Sequence, residues 1–391
     1  MRLYAHIRGW GKYVPPQVMT NDDIARFVDT NAEWIFSRTG IAERRIAGKD
    51  DTTTTMAYKA GLAALSAADA DPAKVELIIV ATMTPDRVMP STASLVQSLI
   101  GAEKAAAFDL GAACSGFVYA YSVASQLIAS GAYRNALVIG SDAMSHILDW
   151  NDRGTCILFG DAAGAFYLEA DEQEGGMLAF ELGSDGSGGN LLTGPTVGNS
   201  YVPSCGPDLK YNALDMNGRA VFRFATRIMG HAAEEALQKA GLTKDQVDLF
   251  IPHQANIRII ESAAKQLGLS MDKVYVNIHR YGNTSAASIP VAFCEAVEEG
   301  RLKDGDNVVV VGFGGGLTWA AAVMKWVAVP EEPQDPYSAR VARRWVRYQR
   351  ARLGSLKHRV EHIMDDWLET GSRIVEKQAK RRDPKERSEK E

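Results

Sequence analysis

With 391 residues, 46% of them apolar and 23% charged, and a net charge of −5, the chain has the composition of a soluble globular protein, long enough for two domains or one large duplicated one. No charged-then-apolar segment opens it, so no secretion signal is read, and the uncharged, apolar-rich stretch Val308 to Met324 is interrupted by four glycines and fits two buried strands better than a membrane helix. The four cysteines, at 114, 156, 205 and 294, form no close pair, which argues against a disulfide framework or zinc site and for a reducing cytoplasm.

In chain order, ALSAADADPAKVELIIVAT (64–82) reads as a helix end, a polar turn and an apolar strand. In FDLGAACSGFVYAYSVASQLIASG, a strand from Ala105 to Leu110 runs through small residues into a helix with apolar positions at Phe117, Tyr121, Ala124 and Leu127. NALVIGS (135–141) is a further strand. The series then returns. ALQKAGLTKDQVDLFIPHQ (236–254) aligns with 64–82 without a gap at an offset of 172, and DNVVVVG (306–312) answers NALVIGS, with Gly140 and Gly312 keeping the offset. Between these strands lie two helix-like segments that each close on a glycine: 17 residues back from Gly131 is Cys114, and 17 back from Gly300 is Asn283. This pattern predicts two similar α/β halves, residues 1–172 and 173–327, each built on a covered sheet. It also puts Cys114 and Asn283 at corresponding helix starts.

Cys114 at a helix start meets unpaired N–H groups and the helix dipole, which favour the thiolate and lower the thiol pKa from about 8.5. A thiolate is the nucleophile that takes an acyl group from a thioester. Cys156 and Cys294, inside apolar segments, read instead as small buried hydrophobes, and Cys205 is unassigned. His253 follows the strand Val247 to Ile251, and a neutral imidazole there can donate to a developing enolate or move a proton. Asn283, taken alone, is equally a helix N-cap. The glycine run in VVVVGFGGGLTWAAAVMKW (308–326) lets a backbone N–H, that of Gly315, join that of Cys114 around an oxyanion; a tight hairpin turn is the plain alternative.

Beyond the body, PEEPQDP reads as a linker and Tyr337 to Lys380 as helix, with Leu353, Leu356, Val360, Ile363 and Trp367 forming a short seam and KRRDPKERSEKE disordered. From Val327 onward there are 16 Lys and Arg against 12 Asp and Glu, which leaves 27 basic and 36 acidic residues in the rest. This asymmetry marks a boundary and does not make the acidic body a nucleic-acid binder. The basic tail, residues 328–391, either packs on the enzyme itself or contacts a partner or an anionic membrane surface.

Taken together, AACSGF, PHQANIRI, GNTSAAS and GFGGGLTW resemble, in order and spacing, the β-ketoacyl-acyl carrier protein synthase III family of condensing enzymes, over about residues 1 to 326. DTNAEWIFSRTGIAERRIA (29–47) resembles that family's coenzyme A-binding entrance. The resemblance implies an α/β, thiolase-like fold, two similar halves in α-β-α-β-α layers, here with a C-terminal helical extension. It implies that Cys114 is acylated by an acyl-CoA, and that His253 and Asn283 stabilise the enolate of a decarboxylating malonyl-acyl carrier protein, with no metal or redox cofactor. Trp34, Arg38 and Arg153 match contacts to the CoA nucleotide, and Asn256 one to the pantetheine. Arg223, Arg258 and Lys265 match the surface that receives the carrier protein, Arg223 standing where the family often has Lys. A homodimer is implied as well. Met89 departs from the Phe that short-chain members often carry at the end of the acyl pocket, and the tail departs from members that end near Trp326. Two other readings stay open: a polyketide-type condensing enzyme or acyltransferase with the same Cys, His and Asn, and a non-catalytic scaffold subunit.

Overall fold

The computed structural model describes residues 3–195 and 213–328, with Val360 and Met364 besides. Its strands are β1 (Tyr4–Tyr13), β2 (Gln17–Thr20), β3 (Glu43–Ile46), β4 (Leu77–Ala81), β5 (Ala106–Leu110), β6 (Asn135–Ala143), β7 (Asp161–Asp171), β8 (Gly176–Ser184), β9 (Leu192–Thr193), β10 (Asp215–Met216), β11 (Leu249–Pro252), β12 (Asn307–Gly314) and β13 (Thr318–Lys325). Its helices are α1 (Asn21–Ile24), α2 (Ala32–Thr39), α3 (Thr53–Ala67), α4 (Thr92–Ile100), α5 (Gly116–Ala129), α6 (Gly218–Ala240), α7 (Ile257–Leu267), α8 (Ile278–Tyr281) and α9 (Ser288–Glu298).

One sheet has the order β1-β7-β6-β4-β5 and a second the order β11-β12-β13-β8. Strand β4, LIIVA, is buried at every position, as a strand covered on both faces must be. Its alternation sorts the layers. Ile79, with Val138 of β6 and Val308 and Val310 of β12, faces a central helix layer made of α5 (Phe117, Tyr121, Ile128) and α9 (Ile289, Phe293, Ala296). Ile78 and Val80 face outward onto α3 and α4 through Met56, Ala60, Ala64, Val96 and Ile100. On the second sheet, Phe250, Val309 and Val311 face outward onto α6 and α7 through Phe224, Met229, Ile260 and Leu267. The layers therefore run α-β-α-β-α, and the uncharged run 308–324 is the antiparallel pair β12 and β13, with Gly314 opposite Thr318.

The duplication is visible strand by strand. β1, β4 and β6 begin at 4, 77 and 135, and β8, β11 and β12 begin at 176, 249 and 307, 172 apart in each case. β5 is answered only by an isolated parallel bridge between Phe250 and Val274. The turns before the central helices also correspond: Ala113–Ser115 leads into α5 and Ser285–Ala287 into α9, and their first residues, Ala113 and Ser285, adopt φ 50 and 51. The counterpart of Cys114 is therefore Ala286, not Asn283. Counting back from the closing glycines misled by three residues because α5 has 14 residues and α9 has 11.

Cys205, the tail's linker and nearly all of its expected helix lie outside the described residues; Val360 and Met364 are helical and exposed. Among the described residues, no helix is long and apolar enough to cross a membrane.

Candidate active site

A cavity of about 790 Å³ is lined by Cys114, His253 and Asn283 together, with Phe313 and Gly314 from the end of β12. Each of the three arrives by a different device. Cys114 follows Ala113, whose left-handed backbone is strained for a residue with a side chain and turns the chain sharply between β5 and α5. The second sheet comes so close here that a Cβ on Gly314 would stand 2.6 Å from the Cys114 nitrogen, so glycine is required. The expected glycine of this run, Gly315, lies one residue on, beside the Leu192 carbonyl.

The thiol itself corrects the sequence reading. Cys114 is only 8% exposed, and burial pushes its pKa up to about 12, with the Asp142 carboxylate adding to the rise. A helix N-terminus contributes about 0.3–1 kcal/mol to an anion, less than one pKa unit, so desolvation wins.

His253 stands just past β11, its backbone N–H donating to the Val311 carbonyl at 2.7 Å. The ring is wholly buried, edge-on to Phe313 with centroids 5.5 Å apart. Nδ1 lies 2.5 Å from the Ser288 hydroxyl, while Nε2 has no partner among the described residues. Burial pushes the imidazole down to about 3, which keeps it neutral at ordinary pH. Asn283 is held by its own backbone: its N–H donates to the Leu158 carbonyl (2.8 Å) and its carbonyl accepts from Gly160 N–H (3.0 Å). Its side-chain Oδ1 accepts from Ser285 N–H at 2.8 Å, which leaves Nδ2 as the group with hydrogens to offer.

At the cavity mouth, Asn31 caps α2, which carries Trp34 and Arg38 to the lining. The Arg38 guanidinium lies 6.0 Å from the half-exposed Trp34 ring and that of Arg153 5.8 Å from it, while Arg153 also donates to the Asp29 carbonyl. Asn256 caps α7 through Oδ1 and reaches the Arg38 carbonyl through Nδ2 (3.1 Å), and Arg258 reaches the Ser37 carbonyl (3.0 Å). Asn256, Arg258 and Arg223 line the cavity. Arg153, Lys265 and Met89 are not in the lining; Lys265 is exposed on α7, and Met89, 84% exposed, lies between β4 and α4.

A model of the 3-oxoacyl-[acyl-carrier-protein] synthase III C-terminal region matches residues 237–326, and one of 3-oxoacyl-[acyl-carrier-protein] synthase III matches residues 108–186. The β-ketoacyl-[acyl-carrier-protein] synthase III of Desulfitobacterium hafniense is 54% identical over 321 residues, covering 82% of this chain and 97% of that protein. The chain belongs to the β-ketoacyl-acyl carrier protein synthase III family. The synthase III structure from Thermus thermophilus matches at TM-score 0.78 and 47% identity, over 82% of this chain and 99% of that one. The priming β-ketosynthase of the R1128 polyketide pathway matches at TM-score 0.79 and 36% identity, over 84% and 98%. The fold is thiolase-like.

In this synthase III, three groups that sequence reasoning missed hold the site together. Ser288 sets the His253 ring, and GNTSAAS offered it only as one more small residue. Gly314, rather than its neighbour, meets the Cys114 backbone. Asp142, fully buried at the end of β6, accepts from Thr82 Oγ1 (3.0 Å), Met83 N–H (2.7 Å) and Ala286 N–H (3.0 Å), joining the first half to the turn after Asn283.

Proposed function

We propose that this synthase transfers an acyl group from acyl-CoA to Cys114 and condenses it with malonyl-acyl carrier protein, giving 3-oxoacyl-acyl carrier protein at the start of fatty acid biosynthesis. The observation that carries the reading is one cavity that brings together a buried thiol and two buried neutral groups, His253 Nε2 and Asn283 Nδ2, whose other atoms are already committed.

In the first half-reaction the thiol must lose its proton only as it attacks. The Ser288 hydroxyl accepts a hydrogen from Nδ1 as readily as it donates one. When it accepts, Nε2 is a base for the thiol proton; CoA then leaves as its thiol, carrying that proton. When it donates, Nε2 bears the hydrogen and is a donor. In the second half-reaction the malonyl C–C bond breaks, carbon dioxide leaves, and the electron pair becomes an enolate that His253 Nε2–H and Asn283 Nδ2–H stabilise. Neutral donors suit a charge that develops only in the transition state. The enolate carbon attacks the Cys114 thioester, backbone N–H groups of Cys114 and of Gly315, the residue after the close-packed Gly314, hold the oxyanion, and collapse releases the Cys114 sulfur as thiolate, which takes a proton from solvent to restore the resting thiol. The residues supply every step without a metal or redox cofactor.

Trp34, Arg38, Arg153 and Asn256 bind CoA, and Arg223, Arg258 and Lys265 receive the acidic carrier protein; flat guanidinium groups at an aromatic mouth support both. The working unit is a homodimer in which Met89 of one copy closes the acyl pocket of the other. A polyketide-type priming role is the second reading, favoured by the similarity to the R1128 ketosynthase. Intact-mass analysis after incubation with a panel of acyl-CoAs tests the nucleophile. The native chain gains one acyl group, and Cys114→Ala gains none and releases no carbon dioxide from malonyl-acyl carrier protein; stoichiometric acylation of that variant sinks the assignment.

A further inference from the structure

Arg44, on β3, is 0% exposed, yet among the described residues no carboxylate lies within ion-pair distance of it. A buried guanidinium without a counter-ion is costly and rare. Here its charge is met by oxygens from separate segments: Nη1 donates to Asn21 Oδ1 (2.8 Å) and to the Met19 carbonyl (3.3 Å), and Nη2 donates to the Ile157 carbonyl (2.7 Å). Ile157 and the next two residues, Leu158 and Phe159, line the cavity. The Leu158 carbonyl accepts the backbone N–H of Asn283, and Gly160 N–H donates to the Asn283 carbonyl.

The stem of Arg44 fills the space behind the same peptides. A Cβ on Gly160 would stand 3.0 Å from the Arg44 Cβ, and one on Gly282, whose φ is +63, would stand 3.5 Å from it and 2.8 Å from the Leu158 carbonyl. Asn21, the side-chain amide whose Oδ1 accepts from the guanidinium, donates to the Ile41 carbonyl (2.7 Å), and Ala42 N–H donates to the His279 carbonyl just upstream of Asn283. Both approaches to Asn283 therefore run back to one cation.

We infer that Arg44 is a positioning residue for Asn283: it fixes the 157–160 segment from which the Asn283 peptide hangs, and so the direction in which the amide offers its hydrogens. The inference rests on the proposed role of Asn283 at the enolate, and the experiment separates the two. Arg44→Met keeps the stem and removes the guanidinium. Decarboxylation of malonyl-acyl carrier protein and acylation of Cys114 are measured separately in single turnover for the native enzyme, Arg44→Met, Asn283→Ala and the double variant. Misplacing a donor by about 1 Å costs on the order of 10²-fold, so Arg44→Met lowers decarboxylation by about that factor and changes acylation little. In the Asn283→Ala background it adds no further loss, because there is no amide left to misplace. Arg44→Lys, which retains the charge but lacks the fork, loses less, and it carries the same cycle should Arg44→Met fail to fold. Losses that multiply in the double variant, or that fall equally on both half-reactions, overturn the positioning role of Arg44. If Asn283→Ala alone spares decarboxylation, the role of Asn283 falls, and that of Arg44 with it.

Discussion

A thiol that titrates at about 12 presents only a trace of thiolate at neutral pH. Alkylation of Cys114 by iodoacetamide in the free enzyme should therefore quicken by about tenfold per pH unit from pH 7 to 10 with no plateau, read as mass gain against time. A plateau beginning near pH 7 would mean that the helix start, rather than burial, governs the thiol. The direction matters for function, because a resting thiol that stays protonated waits for a thioester to bring its leaving group. That Cys114, His253 and Asn283 would line one cavity was legible in the sequence, through the order and spacing of the motifs that carry the family resemblance rather than through any one residue's surroundings. The state of the thiol was not, because a helix start is a local feature and the apolar enclosure comes from the other sheet. Ser288, Asp142 and Arg44 escaped for the same reason: their residue types are ordinary, and only tertiary contacts give them their parts.

At the scale of elements, the segment between β4 and α4 carries Met89, 84% exposed on the single chain. In the proposed homodimer, a second copy brings it to the acyl pocket. Methionine is unbranched and flexible and yields space that a phenyl ring denies, so starters longer than acetyl should be accepted. One methylene in such a pocket is worth about 1–3 kcal/mol, which makes the preference graded. Comparing kcat/KM for acetyl-, isobutyryl- and octanoyl-CoA in the native enzyme and in Met89→Phe should show the ranking shift toward acetyl. An unchanged ranking removes Met89 from the pocket. Strands β4, β6, β11 and β12 were legible because an apolar run of their length, bounded by polar turns, has few other folds open to it. The register between the two central turns was not. It depends on how far α5 and α9 extend, and helix ends are set by contacts that a periodic pattern does not encode.

Across the whole molecule, Phe166 at the middle of β7 packs edge-on against Phe117 and Tyr121 of α5 and against Phe293 of α9, with centroids 4.8, 5.8 and 4.6 Å away. Phe166→Ala should cost about 3–5 kcal/mol in urea unfolding. Because these helices follow the Cys114 and Asn283 turns, both half-reactions should also slow together, unlike the selective loss expected at Arg44. A stability loss below about 1 kcal/mol would show that the central layer is not joined through this ring. The same duplication that stacks the layers leaves an asymmetry at their seam. Ala286 occupies in the second half the seat that Cys114 occupies in the first, and its N–H is taken by the Asp142 carboxylate. A thiolate in that seat would form against a buried anion within hydrogen-bonding range. One copy of the inherited turn thus bears a thiol, while its twin bears an alanine whose N–H is held by the acid that also presses on the thiol, so a doubled fold with near-identical elbows has one place to carry cargo.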